Sequence, residues 1–353
     1  MDISKSLSLC MIAKNEEPFL ATALESAKRV LGFKDIIVVD TGSTDKTVEI
    51  AKEHGAKVYN FEWISDFSAA RNFSASKASN DWVIYIDADE EVLSVDVDEL
   101  AAFMKDPNLV GALTRVELTD NITRHESRLY NRKTHQMTGT IHEQITPLAD
   151  SPKKIVNLSL LIAHHGYLPE FERVELKLKR NEELLLSELK QNPTDAYTLY
   201  QLGKSYFCNE RNLPVACDYF EKALTHAPGT NLEYVYDAVE CYGYALINTT
   251  EYDRALELID KYAKHYNYNP QFRFLTAHVL QNNGMLIEAV ESYESCIGAD
   301  TVDFSGITSY LSYFNIGVIL ECVEMIEDAI EMYKNCGDYE PALERLSKLT
   351  AIK

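Results

Sequence analysis

Residues 35–45 read Asp35-Ile36-Ile37-Val38-Val39-Asp40-Thr41-Gly42-Ser43-Thr44-Asp45. A short apolar run rich in β-branched side chains, leading straight into a Gly/Ser/Thr/Asp turn, reads as a buried strand that ends in a loop. Leu7 to Ile12 is a second such run. Between the two, Phe19, Leu20, Ala23, Leu24 and Ala27 have helical spacing, which predicts a helix over Glu16–Leu31. After the turn, Thr47 to His54 predicts another helix, ended by Gly55. Ala56–Tyr59 and Trp82–Ile86 supply two further strands, with Phe67–Ala78 as the helix between them. Strands alternating with helices imply a largely parallel sheet whose sites lie at the carboxyl ends of the strands.

The last of these strands runs into Tyr85-Ile86-Asp87-Ala88-Asp89-Glu90. Two carboxylates two residues apart at a strand end suit a hard divalent cation, which in turn neutralises a diphosphate. The D-x-D pattern alone is weak, since many loops contain it. Its position just before the chain turns gives it weight.

The 353 residues are comfortable for two domains, and 46% apolar content is enough for each to bury a core. Net charge is −21, with 18 basic and 26 acidic residues up to Glu170 and 16 and 29 after it. Both halves being acidic argues against nucleic-acid binding, which needs positive charge to displace counterions. The second half's excess either attracts a basic peptide or is an ordinary solvated helical surface. Seven cysteines lie scattered without metal-ligand spacing and read as reduced, buried thiols. No basic-then-apolar leader and no run of eighteen apolar residues is present, so a cytoplasmic protein without a membrane span is expected.

From Arg173 onward the periodicity is helical. A small residue is followed twelve or thirteen positions later by Ala in four units: Gly203/Ala216, Gly243/Ala255, Ala277/Ala289 and Gly317/Ala329. Four residues past each Ala stands a large side chain, Phe220, Ile259, Tyr293 or Tyr333. This pattern resembles the tetratricopeptide repeat, in which small residues let antiparallel helices approach closely. The Ala-to-Ala steps of 39, 34 and 40 residues predict two inter-repeat loops longer than the usual repeat allows. An irregular helical bundle is the alternative. The domain boundary falls at residue 170, giving 1–170 and 171–353.

Three motifs now stand in order: the strand leading to Asp40-Thr-Gly-Ser-Thr-Asp45-Lys-Thr, then Asp66-Phe67-Ser68-Ala69-Ala70-Arg71-Asn72, then Asp81-Trp-Val-Ile-Tyr-Ile-Asp87-Ala-Asp89-Glu90. In that order they resemble glycosyltransferase family 2 with the GT-A fold. Gly139-Thr140-Ile141-His142-Glu143 and His164-His165-Gly166-Tyr167, followed by helical repeats, extend the resemblance to the subgroup containing the sublancin-type peptide S-glycosyltransferases and related bacterial protein glycosyltransferases. The resemblance departs in one expectation, that the chain lacks the N-terminal extension associated with the sublancin-type enzyme, which bears on the acceptor more than on the chemistry.

The resemblance implies an α/β nucleotide-sugar-binding domain followed by all-α repeats, and an inverting transfer from a UDP-sugar. It makes Ala13, Asn15, Glu16 and Asp40 contacts to base and ribose, although Asn15 capping a helix with Glu16 and Glu17 on its dipole is an equal reading. Arg71 faces uracil or phosphate with Asn72 in support, or lies on a solvated helix face. Asp87 lies near the ribose or just behind the metal's own ligands, Ala88 belongs to the same nucleotide site, and Asp89 and His164 ligate Mn2+ or Mg2+, the imidazole favouring manganese. His165 is placed on the opposite strand face. Glu143 is the expected general base, His142 either binding the acceptor or serving instead. Arg128 holds a phosphate or salt-bridges the site. The expected acceptor is a protein or peptide side chain presented by the repeats, and the subgroup resemblance carries an expectation of a homodimer through them. Transfer to a cell-surface polysaccharide or lipid-linked glycan and a non-catalytic nucleotide-binding scaffold are the alternatives. A nucleotidyltransferase ranks last, because a Gly-rich loop with a basic residue near the first strand is missing.

Overall fold

The computed structural model describes residues 3–117, 123–149, 154–165, 171–208, 212–299 and 306–351. The chain divides into two compact units, residues 1–184 and 185–353. The sequence boundary at residue 170 falls just ahead of helix α5 (Phe171–Gln191), whereas the division between units falls inside it.

The first unit is built on an eight-stranded sheet. Its parallel half is β3 (Lys57–Asn60), β2 (Asp35–Asp40), β1 (Leu7–Ala13) and β4 (Trp82–Tyr85), side by side in that order. These are the strands read from the apolar runs. Beyond β4 the sheet continues with β7 (Thr123–Asn131), β6 (Leu109–Glu117), β10 (Lys154–His164) and β5 (Glu90–Val95). Here β4–β7, β7–β6 and β10–β5 pair antiparallel and β6–β10 parallel, so the whole sheet is mixed. A hairpin of β8 (His135–Thr138) and β9 (Gln144–Pro147) forms a second small sheet.

Both faces of β1 are buried, as a parallel strand flanked by helices requires. Leu7, Leu9 and Met11 pack with Leu20, Ala23, Leu24 and Ala27 of α1 (Leu20–Leu31) and with Leu100 and Phe103 of α4 (Val97–Phe103). Cys10 faces the other way, with Val39, Tyr85, Ala75 of α3 (Phe67–Lys77) and Met137 of β8.

α1 begins later than its apolar spacing predicts, at Leu20 rather than Glu16. The N–H groups of Asn15, Glu16 and Glu17 are donated instead to Ser43 Oγ, Thr47 Oγ1 and Asp45 Oδ2 at 3.0, 2.7 and 3.1 Å. The loop after β1 is therefore laced to the loop after β2 and the start of α2 (Thr47–Glu53). Those donors are satisfied without a helix.

The second unit contains paired helices: α6 (Ala196–Cys208) with α7 (Leu213–His226), α8 (Glu233–Asn248) with α9 (Tyr252–Tyr266), α10 (Pro270–Asn282) with α11 (Leu286–Glu294), and α12 (Tyr310–Cys322) with α13 (Ile326–Lys334), followed by α14 (Glu340–Ala351). Ala216, Ala255, Ala289 and Ala329 are fully buried. A Cβ on Gly203 would stand 2.7 Å from the Phe220 ring, and one on Gly317 2.6 Å from that of Tyr333, which explains two of the small/large pairs. Gly243 is small for a different neighbour: its Cβ would meet Leu275 of α10 at 2.7 Å, not Ile259. The long connections lie at 227–232 and 295–309, the second only partly within the described residues, while α8 and α9, α10 and α11, and α12 and α13 are joined by short turns.

Cys10, Cys217, Cys296 and Cys336 are buried as read from the sequence, whereas Cys241 is half-buried and Cys208 and Cys322 are exposed. The two exposed ones, Cys208 and Cys322, are each the last residue of a helix. Among the described residues no helix is long and apolar enough to cross a membrane.

Candidate active site

A cleft of about 260 Å³ opens at the carboxyl ends of the parallel strands. Ile12, Ala13, Lys14 and Glu16 line it from the end of β1, Thr41 from the end of β2, and Asp87, Ala88 and Asp89 from the loop after β4. Trp63 closes it from the loop before α3, Phe67 and Arg71 from the first turns of α3, and Arg180 from α5. Ala13 and Asp40 are register partners across β1 and β2, so their loops leave the sheet together. Of the residues expected to meet the nucleotide, Ala13, Glu16, Arg71, Asp87 and Ala88 are thus gathered around one space.

Asp40 and Asn15 build the wall behind it. Asp40 accepts from the N–H groups of Gly42 and Ser43 at 3.3 and 3.0 Å, and Asn15 Oδ1 accepts from Thr44 N at 2.8 Å. Asn15 has φ of +57°, a backbone conformation that Asn tolerates better than most residues. Its capping role is not realised, because α1 starts after Phe19.

Arg71 and Arg128 hold Asp87 from two sides. Arg71 Nη2 donates to Asp87 Oδ1 at 3.0 Å and Arg71 Nε to Glu143 Oε1 at 2.9 Å. Arg128 Nη1 donates to Asp87 Oδ2 at 3.0 Å, while its Nη2 reaches Glu90 and Glu126 at 3.1 and 2.6 Å. Antiparallel pairing of β7 with β4 matches Leu129 to Ile84, which delivers Arg128 beside the end of β4. Of the two sequence readings of Arg128, the salt bridge is realised. Burial alone would raise the Asp87 carboxyl, but Arg128 and Arg71 outweigh it and hold it well below the usual carboxylate range. Burial pushes Glu90 up to about 7 despite Arg128, with the Asp87 charge adding to the rise. Burial likewise opposes the charge on Arg71, and Asp87 and Glu143 more than restore it. Arg71 Nη1 is buried and has no hydrogen-bond partner among the described residues.

Asn72 does not support Arg71. Its side-chain amide makes a two-way pair with the Met137 backbone, donating to the carbonyl at 2.8 Å and accepting from the N–H at 2.9 Å, which fastens α3 to β8. Asp66 caps α3, accepting from Ala69 N at 2.8 Å.

His164 Nε2 lies 3.3 Å from Asp89 Oδ2, and His165 Nε2 lies 3.3 Å from Glu91 Oε2. Successive strand positions therefore point to opposite carboxylates, as alternation dictates. Neighbouring ligands of an octahedral ion with bonds of about 2.1 Å are roughly 3 Å apart, so the Asp89–His164 spacing fits one edge of such a sphere. Among the described residues no group of three His, Cys, Asp or Glu side chains converges on a closed metal site. His142 is exposed with φ of +53°, on the turn that brings Glu143 to Arg71. Gly166 and Tyr167 lie outside the described residues.

Trp63, Phe67 and Arg180 were not singled out by sequence reasoning. A tryptophan in a polar loop just ahead of a capped helix was an available signal; the Trp63 and Phe67 rings meet edge-on at 4.7 Å. Arg180 carries no such signal, since it sits in a charged helical stretch.

Residues 8–157 match the family Glycosyl transferase family 2. That stretch is a glycosyltransferase family 2 domain, and the helical region after it is TPR-like. A TPR repeat-containing protein of Synechococcus elongatus is 33% identical over 208 residues, covering 56% of this chain and 51% of its own. An uncharacterized glycosyltransferase of Rickettsia typhi is 44% identical over 96 residues, 27% and 32% of the two chains. The SPbeta prophage-derived glycosyltransferase SunS of Bacillus subtilis is 26% identical over 225 residues, 61% and 52%. The matched stretch spans about half or less of these relatives' own lengths.

Proposed function

We propose that this protein is an inverting, divalent-metal-dependent glycosyltransferase. It moves a hexose or N-acetylhexosamine from a UDP-sugar to a protein or peptide side chain that the repeats present. The observation that carries this reading is the cleft itself: Asp87 and Asp89 follow β4 at the carboxyl edge of the sheet's parallel half, with Arg71 against Asp87 and His164 against Asp89.

In this reading Ala13, Glu16 and Ala88 contact the nucleoside, and Asn15 and Asp40 hold the walls that shape its pocket. Arg71 offers its unpartnered Nη1 to uracil or phosphate while Asp87 and Glu143 fix its orientation. Asp89 and His164 would hold Mn2+ or Mg2+, which supplies counter-charge for a diphosphate; two protein ligands with the rest from phosphate and water is a usual arrangement for such ions. Glu143 takes the proton from the acceptor hydroxyl or thiol as that atom bonds to the anomeric carbon. The bond from that carbon to the diphosphate oxygen breaks on the opposite face, the configuration inverts, and UDP departs with the bonding pair. Arg71 steadies the Glu143 carboxylate for this step, and His142, one residue earlier, contacts the acceptor.

The deciding experiment is calorimetric titration of the protein with UDP-glucose, UDP-N-acetylglucosamine, UDP-galactose and GDP-mannose, each with Mn2+ and with EDTA. Manganese-dependent binding of one UDP-sugar is expected. Binding of none, or binding indifferent to EDTA, overturns the donor and metal assignments.

A further inference from the structure

Three cations line the cleft, and they differ in what balances their charge. Arg71 is engaged by Asp87 and Glu143. Lys14 stands at the exposed rim. Among the described residues Arg180 has no carboxylate partner, yet it is not left fully in water. Its guanidinium lies 5.1 Å over the Phe67 ring, and its only hydrogen bonds among the described residues go from Nε and Nη2 to the neutral amide of Asn181, at 3.3 and 3.1 Å. Although the residue as a whole is exposed, the cleft wall shields its head group enough that burial lowers its pKa. Desolvating a guanidinium without a counter-ion is unfavourable, and an aromatic face recovers only part of the loss. A planar fork with donors left over matches a phosphate group.

We infer that Arg180 is a phosphate-binding residue, gripping the distal phosphate of a nucleoside diphosphate in the cleft whose lining it shares with Asp89. This rests on the donor-site reading above and adds to it a contact outside the matched family stretch, on the helix that contains the boundary between the two units. Phe67 serves as the platform that keeps the guanidinium aimed at the cleft, and Trp63 braces Phe67 edge-on. In the diphosphate complex, Arg180 offsets charge that builds on the leaving group as the glycosidic bond breaks. It contacts the leaving group only and takes no proton.

The test compares diphosphates with monophosphates on the full chain in the presence of Mn2+, by calorimetry with UDP, GDP, dTDP and the corresponding monophosphates, for the wild type, Arg180→Lys and Arg180→Gln. Wild-type protein is expected to prefer one diphosphate over its monophosphate. Arg180→Gln should weaken that diphosphate about ten- to a hundredfold, the usual range for a charge-assisted hydrogen bond, and leave the monophosphate within about twofold. Arg180→Lys keeps the charge but loses the fork and should fall between. If Arg180→Gln changes diphosphate and monophosphate alike, or neither, the assignment of Arg180 is wrong while the donor site stands. If wild-type protein binds none of the three diphosphates, the donor-site reading itself fails. Unchanged thermal unfolding of both variants excludes a folding defect as the source of any loss.

Discussion

Asp87 is the residue on which the site turns, because two buried guanidinium groups converge on it. Removing one partner of such a cluster leaves the other charges buried without compensation. Arg128→Ala should therefore destabilise the first unit by about 3–5 kcal/mol. Both tryptophans, Trp63 and Trp82, lie in that unit, so denaturant unfolding followed by their fluorescence reads the effect directly. A loss below about 1 kcal/mol would mean the cluster is held by other means. Asp89→Ala, by contrast, should abolish metal-dependent donor turnover with little change in stability. Glu143→Gln keeps an oxygen for Arg71 Nε and should slow transfer by roughly a hundredfold while donor affinity holds; a collapse of donor affinity would make Glu143 structural. The residues Asp87, Asp89, Arg71 and Glu143 were legible in the sequence because each sits in a motif. Their partnership was not, since Arg71 and Glu143 are joined only by folding across 72 residues.

Among the elements, the parallel strands and the helices between them were readable because apolar runs and helical spacing alternate there. The second half of the sheet was not, because from β6 to β10 no helix among the described residues stands between strands to mark them, and Gly139 and the β8–β9 hairpin leave only short runs. The repeat turns hide a regularity of another kind. Glu251, Met285 and Met325 each donate their N–H back to a carbonyl five residues earlier, closing one helix of a pair in the same way. The residue before each has a left-handed backbone: Thr250, Gly284 and Glu324, with φ of +61°, +75° and +63°. Only one is the glycine this position favours. Thr250→Gly should stabilise the repeat unit by about 0.5–1 kcal/mol, as relief from left-handed strain exceeds the added entropy of the unfolded chain. Thermal unfolding by helical circular dichroism checks it, and a lowered midpoint would refute it. On α10, His278 packs between Phe274 and Tyr293 at 4.8 and 5.7 Å, and burial lowers its pKa to about 4 against a hydrogen bond with Asn315. The unfolded chain takes up that proton near 6.5. The contribution to stability is thus intact above about 6.5 and is lost progressively as pH falls toward 4. Between pH 7 and 5 the wild-type midpoint should fall more steeply than that of His278→Gln; parallel slopes would show that this histidine is not held neutral.

At the scale of the whole molecule, the two units divide the work that the proposed reaction needs, donor chemistry in the first and acceptor capture in the second. A chain ending at Gln191 keeps all of α5 and should bind donor with unchanged affinity while losing transfer to a protein acceptor. Unimpaired transfer would remove the repeats from the mechanism. The acceptor itself left no mark in the sequence, since a solenoid surface is specified by side chains scattered over many helices. The division inside α5 also limits how the two halves can be exchanged. Were the repeats swapped for those of another protein at residue 170, just ahead of the onset of helical periodicity, the hybrid would inherit a foreign side chain at position 180 and a cleft with one wall replaced. A modular exchange that preserves the donor site has to be joined beyond Leu184, within an unbroken helix, where both parents must agree on helical phase as well as on sequence.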